Sequence, residues 1–162
     1  MRLFAILCLA IIGQQSAAQD LSVNAGDVRA CYRDTPVGAG YPDCLGAASN
    51  ACQGQAGGST TIGISECIMA ETAVWDELLN EAYGDLRAEF GAQEDVPGEA
   101  SGADLKIALR DAQRAWIAFR DADCGLAYSM WLGGSIRTIV SANCQLTHTA
   151  SRALALRDMG QP

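Results

Sequence analysis

His148 is the only histidine in the chain, and one imidazole cannot build a histidine-rich metal site. A Cys/His nucleophile pair is unavailable once the cysteines of the exported chain are oxidised. A Ser–His–Asp site would have to form without a nucleophile elbow, because no G-x-S-x-G segment occurs. Glycoside hydrolysis needs two carboxyl groups about 5–9 Å apart in a cleft. Glu71 is the one acid on an otherwise apolar helical stripe, but nothing in the sequence marks a second acid facing it. Asp121-Ala122-Asp123 lacks the glycine and the following glutamate of an EF-hand loop. No C-x-x-C pair is present, and the cysteine spacings do not suit zinc. The residues read as a non-enzymatic protein with no metal and no cofactor. Their chemistry is that of disulfides and of surface charge.

The elements that must hold these residues begin after an export signal. Met1-Arg2 precedes an apolar run, Leu3–Gly13, too short to span a bilayer of about 30 Å as a helix. Ser16 and Ala18 supply small residues at the −3 and −1 positions, so residues 1–18 are expected to be a cleaved signal peptide. The mature chain is then periplasmic or secreted, with no membrane span. Losing Arg2 and Cys8 leaves ten bases against nineteen acids, a net charge of −9, and six cysteines. An even cysteine count in an oxidising compartment predicts three disulfides. So acidic a chain is not a nucleic-acid binder, since phosphate neutralisation needs clustered Lys and Arg.

Residues 19–59 form an irregular, cysteine-containing segment with short helical pieces near Ala25–Tyr32 and Asp43–Cys52. Residues 60–160 read as a helical domain. From Thr61 to about Phe90, apolar residues recur at steps of three and four. Residues 91–102 form an acidic, glycine-containing loop. Ser101 and Asp104 make a capping-box start. The next helix runs to about Trp131, with Leu105, Leu109, Ala112, Trp116, Phe119, Leu126 and Met130 expected on its inward face. Gly133-Gly134 breaks it, and Ser135 is expected to cap a last helix ending at Gly160. No alternating strand pattern appears. The expected fold is all-α: a small disulfide-stapled antiparallel bundle of three long helices plus short N-terminal helices.

The glycine turn lies midway between Cys124 and Cys144, which puts both at the same height, roughly 15 Å up adjoining helices. That predicts a Cys124–Cys144 bridge. Cys52–Cys67 would pin the preceding loop to the first long helix, and Cys31–Cys44 would close the N-terminal segment. The spacing leaves the pairing of these four open. Similar counting about the acidic loop brings Trp75, Trp116 and Phe119 together and sets Glu71 beside Arg120 as an ion pair, because a carboxylate on an apolar stripe needs a partner.

Four ordered pieces carry a family resemblance. The run from Ala112 to Cys124, AQRAWIAFRDADC, resembles the signature of the LprI-like lysozyme-inhibitor family, N-terminal domain type. Trp75–Tyr83 resembles its D-x-x-L-N-x-x-Y helix. Gly133-Gly134-Ser135 with Cys144 resembles its glycine turn and second bridging cysteine, and Thr147 with Arg152 its closing T-x-x-x-x-R. The resemblance covers about Cys52 to Leu156. The segment bearing Cys31 and Cys44 is an extension outside it. What the resemblance implies is an exported protein that inhibits lysozyme.

Charge supports a cationic protein partner, with lysozyme the one implied. Between Asp34 and Leu105 stand thirteen acids and a single base, Arg87, whereas Lys106 to Pro162 carries seven bases and four acids. An acidic face attracts a basic protein and speeds encounter, although acids on helix surfaces are also ordinary solubilising residues. Candidate binding residues are Glu89, Glu94, Asp95, Glu99 and Asp104 in and around the loop, with Arg114, Arg120 and Asp121 on the motif helix. Two other readings remain: an envelope interaction module with a different partner, and a small hydrolase using Glu71. The oligomeric state is left open.

Overall fold

The computed structural model describes residues 21–94 and 96–161. The signal peptide expected at 1–18 and the candidate Asp95 lie outside the described residues. Among the described residues the chain forms five helices and no strand: α1 (Ala25–Asp34), α2 (Ala47–Cys52), α3 (Thr61–Ala92), α4 (Gly102–Ser129) and α5 (Arg137–Met159). The all-α reading holds.

Local chemistry sets the helix ends. The Asn24 side chain accepts from the Gly26 amide at the start of α1, and Thr60 accepts from the Gly63 amide at the start of α3. Ser101 caps α4 as expected: its hydroxyl accepts from the Asp104 amide and donates to the Asp104 carboxylate at 2.7 Å. α5 differs from expectation. Ile136, not Ser135, is its N-cap, and no side chain caps it. Gly133, at φ +99°, turns the chain between α4 and α5, a conformation that disfavours any residue with a Cβ.

The core lies between α3 and α5, which share the most extensive interface and run parallel. The Ser65 hydroxyl donates to the Thr138 carbonyl at one end, and Leu86 lies beside Gly160 at the other. Ile68, Trp75, Leu78, Leu79 and Leu86 of α3 pack against Leu146, Ala150, Ala153, Leu154 and Leu156. Each large apolar side chain here contributes about 1.5–3 kcal/mol on burial. α4 runs back antiparallel to both. At its start a Cβ on Gly102 would strike the Phe90 carbonyl, so glycine permits the close helix-to-helix return there.

All three disulfides form: Cys31–Cys44, Cys52–Cys67 and Cys124–Cys144. The first two tie α1 and α2 together and onto α3. Tyr32 of α1 meets Trp75 edge-on, with ring centroids 6.0 Å apart. The Arg157 guanidinium lies over the Tyr32 ring and donates to the Tyr32 carbonyl, while Asp158 accepts from the Gly38 amide at 2.8 Å. The N-terminal segment is therefore held to the end of α5 by specific contacts.

Two expectations fail on α4. Of its expected inward face only Leu109 is buried; Leu105 and Trp116 are half-buried, and Ala112, Phe119, Leu126 and Met130 are exposed. The aromatic cluster does not form either. Trp75 is covered by Tyr32, and Phe119 packs against His148 instead. The physical reason is common to both: α3 and α5 close on each other directly, leaving α4 against their flank.

Candidate functional site

Glu71 is 1% exposed and points at α2. One carboxylate oxygen accepts from the Ser49 amide at 2.7 Å. The other accepts from the Gly46 amide at 2.9 Å and from Trp75 Nε1 at 3.3 Å. The expected Glu71–Arg120 pair is absent. Arg120 donates to Asp121, and its guanidinium lies 5.0 Å over the Trp116 ring. Glu71 thus satisfies orphan amides at the start of a short helix whose N-cap, Gly46, offers no side-chain acceptor. A carboxylate so enclosed and so fully bonded is a structural clamp and is badly placed for general acid–base work.

His148 sits on α5 facing α4. Its Nε2 is 2.8 Å from an Asp123 carboxylate oxygen, and the edge of Phe119 packs on its ring at 5.3 Å. The Cys124 and Cys144 sulfurs lie within 4.8 Å of the imidazole, but they are bonded to each other and offer no thiolate to a metal. Among the described residues no serine hydroxyl hydrogen-bonds His148, so the pair lacks a nucleophile to activate. Lower on the same hairpin, the Arg152 Nε donates to the Gln113 side chain at 2.9 Å. Burial lowers the Arg152 pKa from its ordinary value. Sequence reading missed both pairs, although the signal was there: 113 with 152 and 123 with 148 are each nearly symmetric about the glycine turn, as 124 and 144 are.

The candidate binding residues fall into two regions. Glu89, at the end of α3, and Glu94 and Glu99, in the following loop, are exposed at one end of the bundle. Asp104 stands beside them but is engaged in the α4 cap. Asp76, Glu77, Glu81 and Asp85 continue the exposed acidic surface along α3, offset by Arg29, which bridges Glu77 at 2.9 Å and Glu81 at 3.1 Å. Arg114 is exposed on α4 and forms no ion pair among the described residues. Arg120 and Asp121 lie farther along, on an open groove of about 460 Å³ that Met69, Tyr128 and Gln145 also line. The acidic loop and this groove are at different ends of α4 and do not make one site. No helix among the described residues is long and apolar enough to cross a membrane.

The chain is similar to an uncharacterized protein of Rhizobium meliloti (strain 1021), 29% identical over 120 residues, which is 73% of this chain and 78% of that protein. No solved structure matches it. The family model for lysozyme inhibitor LprI matches residues 52–156, a stretch that takes in α3, α4 and nearly all of α5 and leaves α1 outside. With well over half of its length matched, and with the bridged hairpin and glycine turn in place, the chain belongs to the lysozyme inhibitor LprI family.

Proposed function

We propose that the mature chain is an exported, non-enzymatic inhibitor that docks an acidic end on a cationic lysozyme and obstructs its substrate cleft. The observation that carries this is the family match over residues 52–156. The charge distribution supports the sign of the partner: Glu89, Glu94 and Glu99 are exposed around the α3–α4 turn, next to the acidic flank of α3. Carboxylates so placed steer a basic protein at low ionic strength and lose that effect as salt rises. Steric obstruction needs a rigid body behind the contact, which three bridges and the α3–α5 core supply. In this reading residues 1–18 are a cleaved signal peptide, and the segment before Cys52, with Cys31 and Cys44, is an extension bound to the family domain.

The test is lysis of a bacterial suspension by a basic c-type lysozyme, titrated with the oxidised protein. Lysis is expected to fall near stoichiometrically. Glu89→Lys, Glu94→Lys and Glu99→Lys combined should raise the inhibition constant at least about tenfold, equivalent to ~1.4 kcal/mol. Undiminished lysis at large excess, with both c-type and g-type enzymes, would overturn the reading. Retained inhibition by the triple variant would move the contact away from the acidic turn.

A further inference from the structure

α4 carries an apolar seam that the rest of the chain leaves mostly exposed, touched at one edge where His148 meets Phe119. Leu105, Ala112, Phe119 and Leu126 recur every seven residues, and Ala108, Ala115, Ala122 and Ser129 stand three residues after each of them. This alternation of three and four is the spacing of a two-helix coil. Leu105 is half-buried; the other seven are exposed, Phe119 at 56% and Leu126 at 60%. No charged residue interrupts the seam. Met130, 73% exposed, extends it at the hairpin end.

We propose that this seam is the contact of a homodimer, in which α4 of one copy packs antiparallel on α4 of a second about a two-fold axis near mid-helix. Size along the seam selects both the partner and the direction. The first set holds every bulky residue, Leu105, Phe119 and Leu126, whereas the second set is uniformly small. In an antiparallel pair each first-set position faces a second-set position. Phe119 of one copy then covers Ala115 of the other, and Leu126 covers Ala108. A parallel pair would oppose Phe119 to Phe119 and Ala115 to Ala115, a clash next to a void. The seam reversed is its own complement, which is what an isologous two-fold contact requires.

The seam is about 36 Å long at 1.5 Å per residue and about 10 Å wide, a footprint of roughly 400 Å² per copy. That totals roughly 800 Å² for the pair, below the ~1,200 Å² at which stable specific interfaces begin, so a weak dimer with a Kd of tens of micromolar is expected. Antiparallel packing would put the two acidic turns at opposite extremes, about 45–55 Å apart, which makes the dimer bivalent. The dimer stands independently of lysozyme inhibition, because the seam and the acidic turn share no residue.

Sedimentation equilibrium of the oxidised protein is expected to show a monomer–dimer equilibrium between about 1 and 100 μM. Ala115→Glu, an exposed change to another good helix former, should leave the circular dichroism unchanged and abolish the dimer. Phe119→Ala should weaken it at least about tenfold. Ile117→Ala, on another side of α4, should dimerise like the parent. Spin labels on Ala103→Cys should sit about 40–50 Å apart in the antiparallel pair. A protein that stays monomeric at about 200 μM, an Ala115→Glu variant that still dimerises, or labels within about 15 Å of each other would overturn the proposal.

Discussion

Replacing Glu71 by alanine tests whether its carboxylate is the clamp that holds α2. The side chain is 1% exposed and receives two backbone amides at 2.7 and 2.9 Å besides the Trp75 indole. Removing it leaves the buried Ser49 amide and the half-buried Gly46 amide without their acceptor. A buried donor deprived of its partner costs about 1–3 kcal/mol, and Ser49 is itself 2% exposed. These two donors plus the lost packing give about 4 kcal/mol. For a chain of this size 1 kcal/mol lowers Tm by about 2–4 °C, so Tm should fall by about 8–16 °C. Guanidinium unfolding followed by circular dichroism measures the free energy. Amide exchange should rise first at Gly46 and Ser49 while the α3–α5 core stays protected. Glu71→Gln keeps one acceptor oxygen and should cost less. A loss below about 1 kcal/mol for Glu71→Ala would refute the clamp, and turnover of peptidoglycan fragments abolished by Glu71→Gln would restore the hydrolase reading.

The remaining predictions concern α4 and α1. Changing Cys124 and Cys144 together to alanine opens a loop of 20 residues, and the expected loss is about 3 kcal/mol. Protection from exchange should fall most in the second half of α4, where Cys124 is the one buried side chain; uniform loss across the bundle would argue against this. The Tyr32 pKa is raised mainly by burial, which the nearby Arg157 charge partly opposes. The folded state therefore holds the phenolic proton more tightly than the unfolded chain does. Stability should be unaffected below the ordinary tyrosine range and fall as pH rises above about 10. Tyr32→Phe should flatten that alkaline decline, and a spectrophotometric titration of the phenols reports the ionisation directly.

Much of the fold was legible in the sequence because it rests on local signals. The cap at Ser101, the steps of three and four along α3, and the glycine turn each depend on residues within a few positions of one another. The Cys124–Cys144 bridge was legible for a related reason: a hairpin with a marked turn has a countable register. Gln113 with Arg152 and Asp123 with His148 obey that same register, so they too were within reach.

Which apolar face of α4 enters the core was not legible. Periodicity shows that a stripe exists, but it does not say whether the stripe meets this chain or another. That depends on how closely α3 and α5 approach, and Ala142, Ala150 and Ala153 let them meet directly. The partner of Glu71 was hidden likewise. The sequence required that a carboxylate on an apolar stripe be satisfied; it did not say by what. Backbone amides of a short helix 22–25 residues away took the place expected for Arg120, because two bridges fold α1 and α2 onto that side of α3. Composition and spacing alone determined the helices, the turn, the number of staples and the sign of the charge. Only the tertiary structure decided which surfaces are spent on the core and which are left for a partner, since burial depends on what arrives from elsewhere in the chain.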